Sequence, residues 1–164
     1  MSFEIRKALV SDIAIIGQLA EEIWWPTYRD FISEEQIRFM LQEMYSKKAL
    51  AQQFAEGVSF LLAVREGIAV GFAGFSETDK AERIFKLHKL YVLPSEQGNG
   101  SGKALVEEVC RLAKLDGGKI LELNVNRGNK ASAFYQKQGF EIFQTLDIPY
   151  HHFVLNDYVM RKAL

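Results

Sequence analysis

Residues 97 to 102 read QGNGSG, so three glycines fall within five residues. The apolar run LHKLYVL precedes this segment, and the helical pattern KALVEEVCRLAK follows it. Glycines at such a junction let backbone N–H groups converge at the positive end of a helix, where phosphate groups bind. The segment therefore predicts a phosphate-binding loop, and its spacing has to decide which kind.

The P-loop of nucleotide hydrolases is excluded by two positions. Its pattern, G-x-x-x-x-G-K-[ST], supplies a hydroxyl ligand for magnesium. With Gly102 and Lys103 as the GK pair, Gln97 stands at the first glycine and Ala104 at the hydroxyl. This segment therefore lacks the magnesium ligand that the P-loop requires.

The dinucleotide fingerprint G-x-G-x-x-G also fails, because Lys103 stands where the third glycine would allow close helix packing. A third pattern, Q-x-x-G-x-G, is matched by Gln97, Gly100 and Gly102. This pattern fits a pyrophosphate held at a helix start. Taken alone, it is equally consistent with a flexible turn that binds no ligand.

Composition and charge are those of an ordinary globular domain. The 164 residues are 48% apolar and 25% charged, with a net charge of −1, so no overall charge attracts nucleic acid or an anionic membrane. No apolar run reaches the roughly 20 residues of a membrane span, and MSFEIRKALV has no signal-peptide core. The single cysteine, Cys110, excludes an internal disulfide and a cysteine-rich zinc site. We expect one domain, residues 1–164, in the cytoplasm, with no nucleic-acid or membrane partner.

The first 57 residues predict a short strand, FEIRKALV, followed by three helices. Serine and aspartate side chains supply N-cap oxygens, and proline and glycine end helices. The expected limits are Ser11-Asp12 to Pro26, Ser33 to about Tyr45, and Ser46 to just before Gly57.

The remaining residues mix antiparallel strands with a βαβ unit, which predicts an α+β or mixed α/β fold. VSFLLAVREGIAVGFAGFSE predicts a hairpin that turns at Glu66-Gly67, and IFKLHKLYVL predicts a strand stopped by Pro94. Further expected elements are a helix over 100–116, the strand KILELNV, the helix ASAFYQKQ, and a final strand pair, FEIFQTL and FVLNDYVMRKAL.

Residues 87–102, LHKLYVLPSEQGNGSG, followed by KALVEEV, resemble the acetyl-CoA-binding signature of the GNAT superfamily of N-acetyltransferases. The resemblance continues through LELNVNRGNKASAFYQKQGFE and the closing DYVMRKAL, and it covers about residues 84 to 164. It implies a central twisted mixed sheet of about seven strands, flanked by about five helices. It also implies transfer of an acetyl group from coenzyme A to a primary amine, without a metal.

The resemblance assigns the cofactor contacts. By resemblance, the pyrophosphate is bound chiefly by backbone N–H groups of the loop residues Gln97, Gly98, Asn99, Gly100, Ser101, Gly102 and Lys103. By resemblance, the pantetheine arm is bound by the strand residues Leu90, Tyr91 and Val92. It lies where this strand separates from the strand LELNV, which contributes Asn124. A backbone N–H at that point polarises the thioester carbonyl, and Asn129 both caps its helix and contacts the arm.

Two side chains are candidates for proton transfer. By resemblance, Tyr135 is the general acid, because a phenol with a pKa near ~10 can protonate a thiolate whose conjugate acid lies near ~8.5. His88 is a candidate base, since strand alternation puts it on one face with Leu90 and Val92. The alternatives are an ordinary helix aromatic for Tyr135 and a surface strand histidine for His88.

The acceptor site is expected to involve the N-terminal helices. Trp24 and Trp25 are adjacent and cannot both face one core, so we expect one of them to be exposed or to line a pocket, and both are candidate acceptor residues together with Tyr28. Glu77, at the end of a strand, is a candidate to act through water. The segment WWPTYRDFISEEQIRFMLQEMYS resembles, faintly, bacterial GNAT proteins that act on polyamine-type amines.

These patterns predict an acetyl-CoA-dependent enzyme that transfers an acetyl group directly to the amine of a small, polyamine-like molecule. Two alternatives remain at this stage: an acetyltransferase for protein or peptide amines, and a non-catalytic domain that senses acyl-CoA. Folds of this family often pair, which allows a homodimer.

Overall fold

The computed structural model describes residues 2–164, and within them the chain forms seven strands and five α-helices. Short 3-10 turns at Val10–Asp12 and Pro94–Glu96 connect some of them. The elements in chain order are β1 (Phe3–Lys7), α1 (Ile13–Tyr28), α2 (Glu34–Tyr45), α3 (Lys47–Ala55), β2 (Ser59–Arg65), β3 (Ile68–Asp79), β4 (Ile84–Val92), α4 (Ser101–Leu115), β5 (Ile120–Asn126), α5 (Ala131–Lys137), β6 (Glu141–Tyr150) and β7 (Phe153–Ala163).

All seven strands belong to one sheet with the order β1-β2-β3-β4-β5-β7-β6. Every neighbouring pair is antiparallel except β4 and β5, which are parallel and are joined through α4 as a βαβ unit. The predicted mixed sheet with its flanking helices is therefore confirmed. No helix in residues 2–164 has the length and apolar character to cross a membrane.

The parallel pair β4–β5 is short, and this shortness creates an opening in the sheet. Pairing covers Ile84–Leu87 of β4 and Ile120–Leu123 of β5. Beyond these residues β4 continues on β3 as far as Val92, whereas β5 continues on β7 as far as Asn126. The two strands therefore separate at their C-terminal ends, next to the start of α4.

A hydrophobic core lies on each face of the sheet. On one face, buried α4 residues that include Leu105 and Val109 pack against strand residues such as Leu121. On the other face, α1 buries Ile16, Ala20 and their neighbours against β2 and β3, with α2 and α3 beside it. The predicted apolar stripe of α4 is confirmed, and the helices on the opposite face form a wall beside the separated strands.

The predicted end of α1 at Pro26 is wrong, because the helix continues to Tyr28. A proline lacks the N–H that would donate to the carbonyl four residues earlier, but one missing bond does not stop a well-packed helix. Thr27 Oγ1 also donates to the Ile23 carbonyl at 2.7 Å, which keeps that turn hydrogen-bonded. The extra turn carries Tyr28 towards the opening in the sheet.

Of the three caps predicted for the N-terminal helices, two are confirmed. Ser33 Oγ and Ser46 Oγ each accept a hydrogen bond from the backbone N–H three residues later. The cap predicted at Ser11-Asp12 is wrong, since Asp12 makes no side-chain cap bond to α1. Its carboxylate instead accepts from the Leu9 N–H and pairs with Arg6, which ties β1 to the turn before the helix.

Candidate active site

A large cavity begins where β4 and β5 separate and extends to helices α1 and α2. Its volume is about 840 Å³, within the range of roughly 300–1,000 Å³ that is usual for ligand sites. Its walls come from α1, α2, β4, the loop 96–103, β5, α5, β6 and β7. The glycine loop and the aromatic residues of α1 therefore face one continuous space.

The glycine loop has the backbone conformation that its sequence suggested. Gly98 and Gly100 have φ values of 87° and 83°, in the left-handed region that favours glycine. Gly100 is the N-cap of α4, so the unpaired N–H groups of the helix start belong to this loop. A Cβ on Gly102 would stand 3.4 Å from the Phe134 ring, which shows how closely the loop packs on α5.

A buried polar network supports this loop from beneath. Arg65 Nε donates to Glu96 Oε1 at 2.6 Å, and Ser101 Oγ donates to the same oxygen at 2.8 Å. Ser101 is almost fully buried. Hydrogen bonds from Arg65 and Ser101 hold the pKa of Glu96 below its ordinary value. The Ser101 side chain therefore anchors the loop to the fold, and only its backbone is free for a ligand.

The C-terminal half of β4 has one free edge. Leu90, Tyr91 and Val92 line the cavity and pair with β3 but not with β5. Their outward backbone groups can therefore hydrogen-bond an extended ligand, in the way that a strand adds to a sheet. On the opposite side, a Cβ on Gly71 would lie 2.8 Å from the Tyr91 carbonyl oxygen, so β3 packs very closely against β4 here.

A β-bulge in β4 reverses the expected alternation at His88. Gly74 pairs with Lys89 and Phe75 pairs with Leu87, so His88 is the extra residue. Leu87 and Leu90 consequently pack in the same core, beneath α4. The expected shared face of His88 with Leu90 and Val92 is therefore wrong, because alternation is lost across the bulge.

His88 nevertheless lines the cavity, and its Nε2 lies 2.7 Å from Ser76 Oγ. His88 is exposed at the rim, and partial desolvation with the nearby cations Lys86 and Lys89 lowers its pKa. The imidazole is thus neutral at pH 7 but is a much weaker base than an ordinary histidine.

Tyr135 is held by α5 with its ring packed edge-on against Phe134 and Phe140. It is buried and lines the cavity, and no residue within 2–164 forms a hydrogen bond with its hydroxyl. Burial, with a smaller contribution from Tyr28, raises the pKa of Tyr135 above its ordinary value. The phenol therefore keeps its proton at physiological pH and has a free donor inside the cavity.

An aromatic cluster closes the far side of the cavity, where Trp24, Tyr28, Tyr45 and Tyr91 meet. The hydroxyl oxygens of Tyr28 and Tyr91 lie 2.7 Å apart. Burial raises the pKa of Tyr28 to about 12 and that of Tyr91 well above its ordinary value. The cluster thus offers neutral hydroxyls and ring faces to a ligand, and no phenolate.

Two charged residues that the sequence did not single out also face this cavity. Lys89 is buried on β4, and its Nζ lies 4.5 Å from the centre of the Tyr45 ring. Asp157 is buried on β7, where Asn124 Nδ2 donates to its Oδ2 at 3.4 Å. Desolvation lowers the pKa of Lys89 to about 8 and raises the pKa of Asp157. Lys89 and Asp157 therefore add a buried cation and a buried anion to a space that is also lined by Lys86, Lys130 and the Glu96 of the loop network.

The family model described as an acetyltransferase (GNAT) domain matches residues 28–148, about three quarters of the chain. This protein belongs to the GNAT family of acetyltransferases. The sequence-based assignments of the family, its fold and the N-acetyltransferase class are therefore confirmed.

Individual relatives are similar to this chain over most of its length. It is 33% identical over 152 residues to the spermidine N(1)-acetyltransferase of Thermoplasma acidophilum, covering 88% of this chain and 92% of that one. A crystal structure of the PaiA N-acetyltransferase of Thermoplasma acidophilum in complex with coenzyme A matches at a TM-score of 0.86 and 29% identity, over the full length of both chains. The ribosomal-protein-S18-alanine N-acetyltransferase of Escherichia coli shares the fold at a TM-score of 0.75, with 19% identity over 99% of this chain and 94% of that one.

Most of the residues predicted to bind the cofactor of this GNAT protein line the cavity. They are Leu90, Tyr91, Val92, Gln97, Gly98, Gly100, Ser101, Gly102, Lys103, Asn124, Asn129 and Tyr135. Asn99 does not, because it sits at the exposed outer side of the loop, where its N–H donates to the Glu96 carbonyl. Asn129 Oδ1 accepts from the Ala131 N–H at the start of α5, but the N-cap of that helix is Lys130, one residue after the predicted position.

The four predicted acceptor residues divide into two pairs. Trp24 and Tyr28 line the cavity, whereas Trp25 and Glu77 do not. Trp25 lies on the outer side of α1, where its Nε1 donates to Glu21 at 3.3 Å. Glu77 forms an ion pair with Arg83 across the turn between β3 and β4. These contacts place Trp25 and Glu77 outside the candidate site, contrary to expectation.

Proposed function

We propose that this GNAT protein uses acetyl-CoA to acetylate the primary amine of a small molecule by direct transfer. The observation that carries the proposal is the single cavity that contains the glycine loop, the free edge of β4 and the aromatic cluster. A cofactor site and an acceptor site that share one space allow transfer without an acyl-enzyme. The buried, ring-lined acceptor end suits a small molecule better than a folded protein.

Residues of the glycine loop and of β4 fit two parts of coenzyme A, its pyrophosphate and its pantetheine arm. The start of α4, with the backbone of Gly98, Gly100 and Gly102, presents partial positive charge to a pyrophosphate. The free edge of β4 offers hydrogen bonds to the amide groups of a pantetheine arm. When bound, the cofactor supplies an acetyl group as an activated thioester.

We assign the role of general acid to Tyr135. Its hydroxyl is free within the cavity and stays protonated, because burial raises its pKa. A thiol beside it loses hydration in the same way, so the pKa values of the two groups rise together. Tyr135 can therefore donate its proton to the thiolate as negative charge develops on sulfur.

We assign amine binding to Asp157 in preference to His88. An acceptor amine is mostly an ammonium at neutral pH and has to lose a proton before it attacks. His88 is neutral at pH 7 and offers no negative charge to an ammonium, and its lowered pKa makes it a weaker base than an ordinary histidine. Asp157 is a buried carboxylate whose pKa is raised by desolvation, so it attracts the ammonium and is a stronger base than an exposed aspartate.

Thiol release from acetyl-CoA, measured against a panel of amines, tests this proposal directly. We expect amine-dependent release of coenzyme A and an acetylated product by mass spectrometry. Spermidine belongs in the panel because a relative of this chain is named for it. A non-catalytic sensor would instead show a raised melting temperature with acetyl-CoA and no turnover with any amine or peptide.

A further inference from the structure

The candidate acceptor site contains two buried charges of opposite sign that do not pair with each other. We propose that the natural acceptor carries a carboxylate several carbons away from its amine, and that Lys89 binds this carboxylate. This inference rests on the proposed acetyltransferase function and narrows its substrate class to ω-amino acids.

Lys89 is an ammonium with no anion beside it. Its residue is 8% exposed, and it lines the cavity. No carboxylate within residues 2–164 forms an ion pair with it, and desolvation alone accounts for the change in its pKa. Its one charge-stabilising contact among these residues is the face of the Tyr45 ring, 4.5 Å from Nζ.

Buried lysines are rare in proteins unless they are paired, because an ammonium loses its hydration and has three N–H groups to satisfy. A ring face attracts the charge but accepts no conventional hydrogen bond. The part of the cavity lining that α2 contributes includes Met40 and Met44, which offer no oxygen ligand, and Gln36, whose Nε2 donates to Met40 Sδ. A bound carboxylate would provide both the missing charge and the missing acceptors.

Asp157 lies apart from Lys89 and faces other groups. Its polar neighbours are Asn124, Lys86 and Arg127, and Lys89 is not among the charges that influence it. Asp157 belongs to β7 and Lys89 to β4, with β5 between them in the sheet order. Strands two positions apart are separated by about 10 Å in a regular sheet, and Lys89 lies beyond the paired part of β4 and β5, so one acceptor can reach both charges only if several atoms separate its own two ends.

This arrangement disfavours a polyamine. A diamine whose first ammonium binds Asp157 would bring its second positive charge towards Lys89, where like charges repel in a desolvated site. An ω-amino carboxylate of the same length would bring a negative charge to that place. The charge pattern of the cavity therefore distinguishes acceptors of equal length by the sign of the charge on the end away from the reacting amine.

Three acceptors of similar length separate these cases: 5-aminopentanoate, pentylamine and cadaverine, with anionic, neutral and cationic far ends. We expect kcat/KM for 5-aminopentanoate to exceed that for cadaverine by ten-fold or more. In Lys89→Met, which keeps the length and removes the charge, this ratio should fall to about one. The KM for acetyl-CoA should not change. Lys80→Met, on an exposed turn outside the cavity, is the matched control and should keep the wild-type ratio.

The outcomes separate failure of this inference from failure of the proposed function. Cadaverine or spermidine used as well as 5-aminopentanoate would overturn the role of Lys89 and leave the acetyltransferase intact. If no acceptor is acetylated, calorimetric titration of 5-aminopentanoate into the protein loaded with coenzyme A still tests whether Lys89 binds the carboxylate. Binding that Lys89→Met abolishes, without turnover, would contradict only the proposed function. No binding, or equal binding by the variant, would contradict the role of Lys89.

Discussion

Arg65 Nε lies 2.6 Å from Glu96 Oε1, and this pair joins the end of β2 to the base of the glycine loop. Arg65 ends β2, whereas Glu96 immediately precedes the loop that starts at Gln97. Ser101, in the first turn of α4, binds the same carboxylate oxygen. Both ends of the loop are thus fixed by one carboxylate that no ligand needs to touch.

Glu96→Gln should weaken acetyl-CoA binding by about ten-fold while changing kcat by less than about three-fold. The amide keeps the shape but loses the charge-assisted bond to Arg65, so the loop becomes less well ordered before the ligand arrives. Calorimetry gives the dissociation constant, and steady-state rates at saturating acetyl-CoA give kcat. Glu108→Gln is the control. Glu108 also lies in α4 but pairs with Arg111, away from the loop, so this variant should bind acetyl-CoA with wild-type affinity. Unchanged affinity in Glu96→Gln would show that the loop is ordered without this network.

Tyr135→Phe should lower kcat by about 10²–10³ and leave the KM for acetyl-CoA within about two-fold. The hydroxyl makes no hydrogen bond with a described residue, so its removal leaves no protein group without a partner. The melting temperature should accordingly stay close to that of the wild type. Tyr158→Phe, on β7 and outside the cavity, is the matched control. A variant with wild-type kcat would remove Tyr135 from the mechanism.

Lys89 should reduce the stability of the free protein at neutral pH. Its pKa falls from 10.5 to about 8 on folding, so protonation of the buried amine costs about 3 kcal/mol below pH 8. Between pH 8 and 10.5 the unfolded chain binds more protons than the folded one, and the stability attributable to this residue rises with pH. Lys89→Met should therefore be more stable than the wild type at pH 7, by an amount that shrinks to about 1 kcal/mol at pH 10.

Urea unfolding of both proteins at pH 7 and pH 10 measures this difference. Comparing the two proteins at each pH cancels the groups that they share, and those groups include the buried tyrosines. Lys80→Met should show no such pH-dependent difference, because Lys80 is exposed. A stability difference that stays constant with pH would indicate that the substitution changes side-chain packing, and that no desolvated charge is present at Lys89.

Local patterns predicted much of the fold. Helix caps at Ser33 and Ser46, the left-handed glycines of the loop and the apolar stripe of α4 depend on neighbours in the chain, so spacing was sufficient. Pro26 does not mark the end of α1, because packing of the helix outweighs one lost backbone hydrogen bond. Tertiary contacts decide such cases, and the sequence does not show them.

The acceptor end of the site was much less predictable. The bulge at His88 depends on how β3 and β4 align, and no residue type in the sequence indicates it. Because alternation fails there, the lysine of LHKLYVL becomes a buried residue of the cavity. Asp157 reaches the site only through the pairing of β7 with β5. Long-range register therefore sets the charge pattern on which acceptor choice depends.

Gly71→Ala should damage the site through the backbone of β4 and not through any lost side chain. A Cβ at this position would lie 2.7 Å from Val92 Cγ1 and 2.8 Å from the Tyr91 carbonyl oxygen, distances that real Cβ atoms do not tolerate. The strand has to shift at the edge that we assign to the pantetheine arm. We expect a loss of about 1–3 kcal/mol in the free energy of unfolding, as for other overpacked sites. The KM for acetyl-CoA should rise at least five-fold.

Gly57→Ala provides the comparison, since a Cβ there meets no atom within 4 Å, although its φ of 95° carries backbone strain. That variant should lose about 1 kcal/mol of stability and keep its KM for acetyl-CoA, because Gly57 follows α3 and lies outside the cavity. The pair therefore separates general destabilisation from displacement of β4. If both variants kept the wild-type KM at temperatures where they are folded, the free edge of β4 would not be where the cofactor binds.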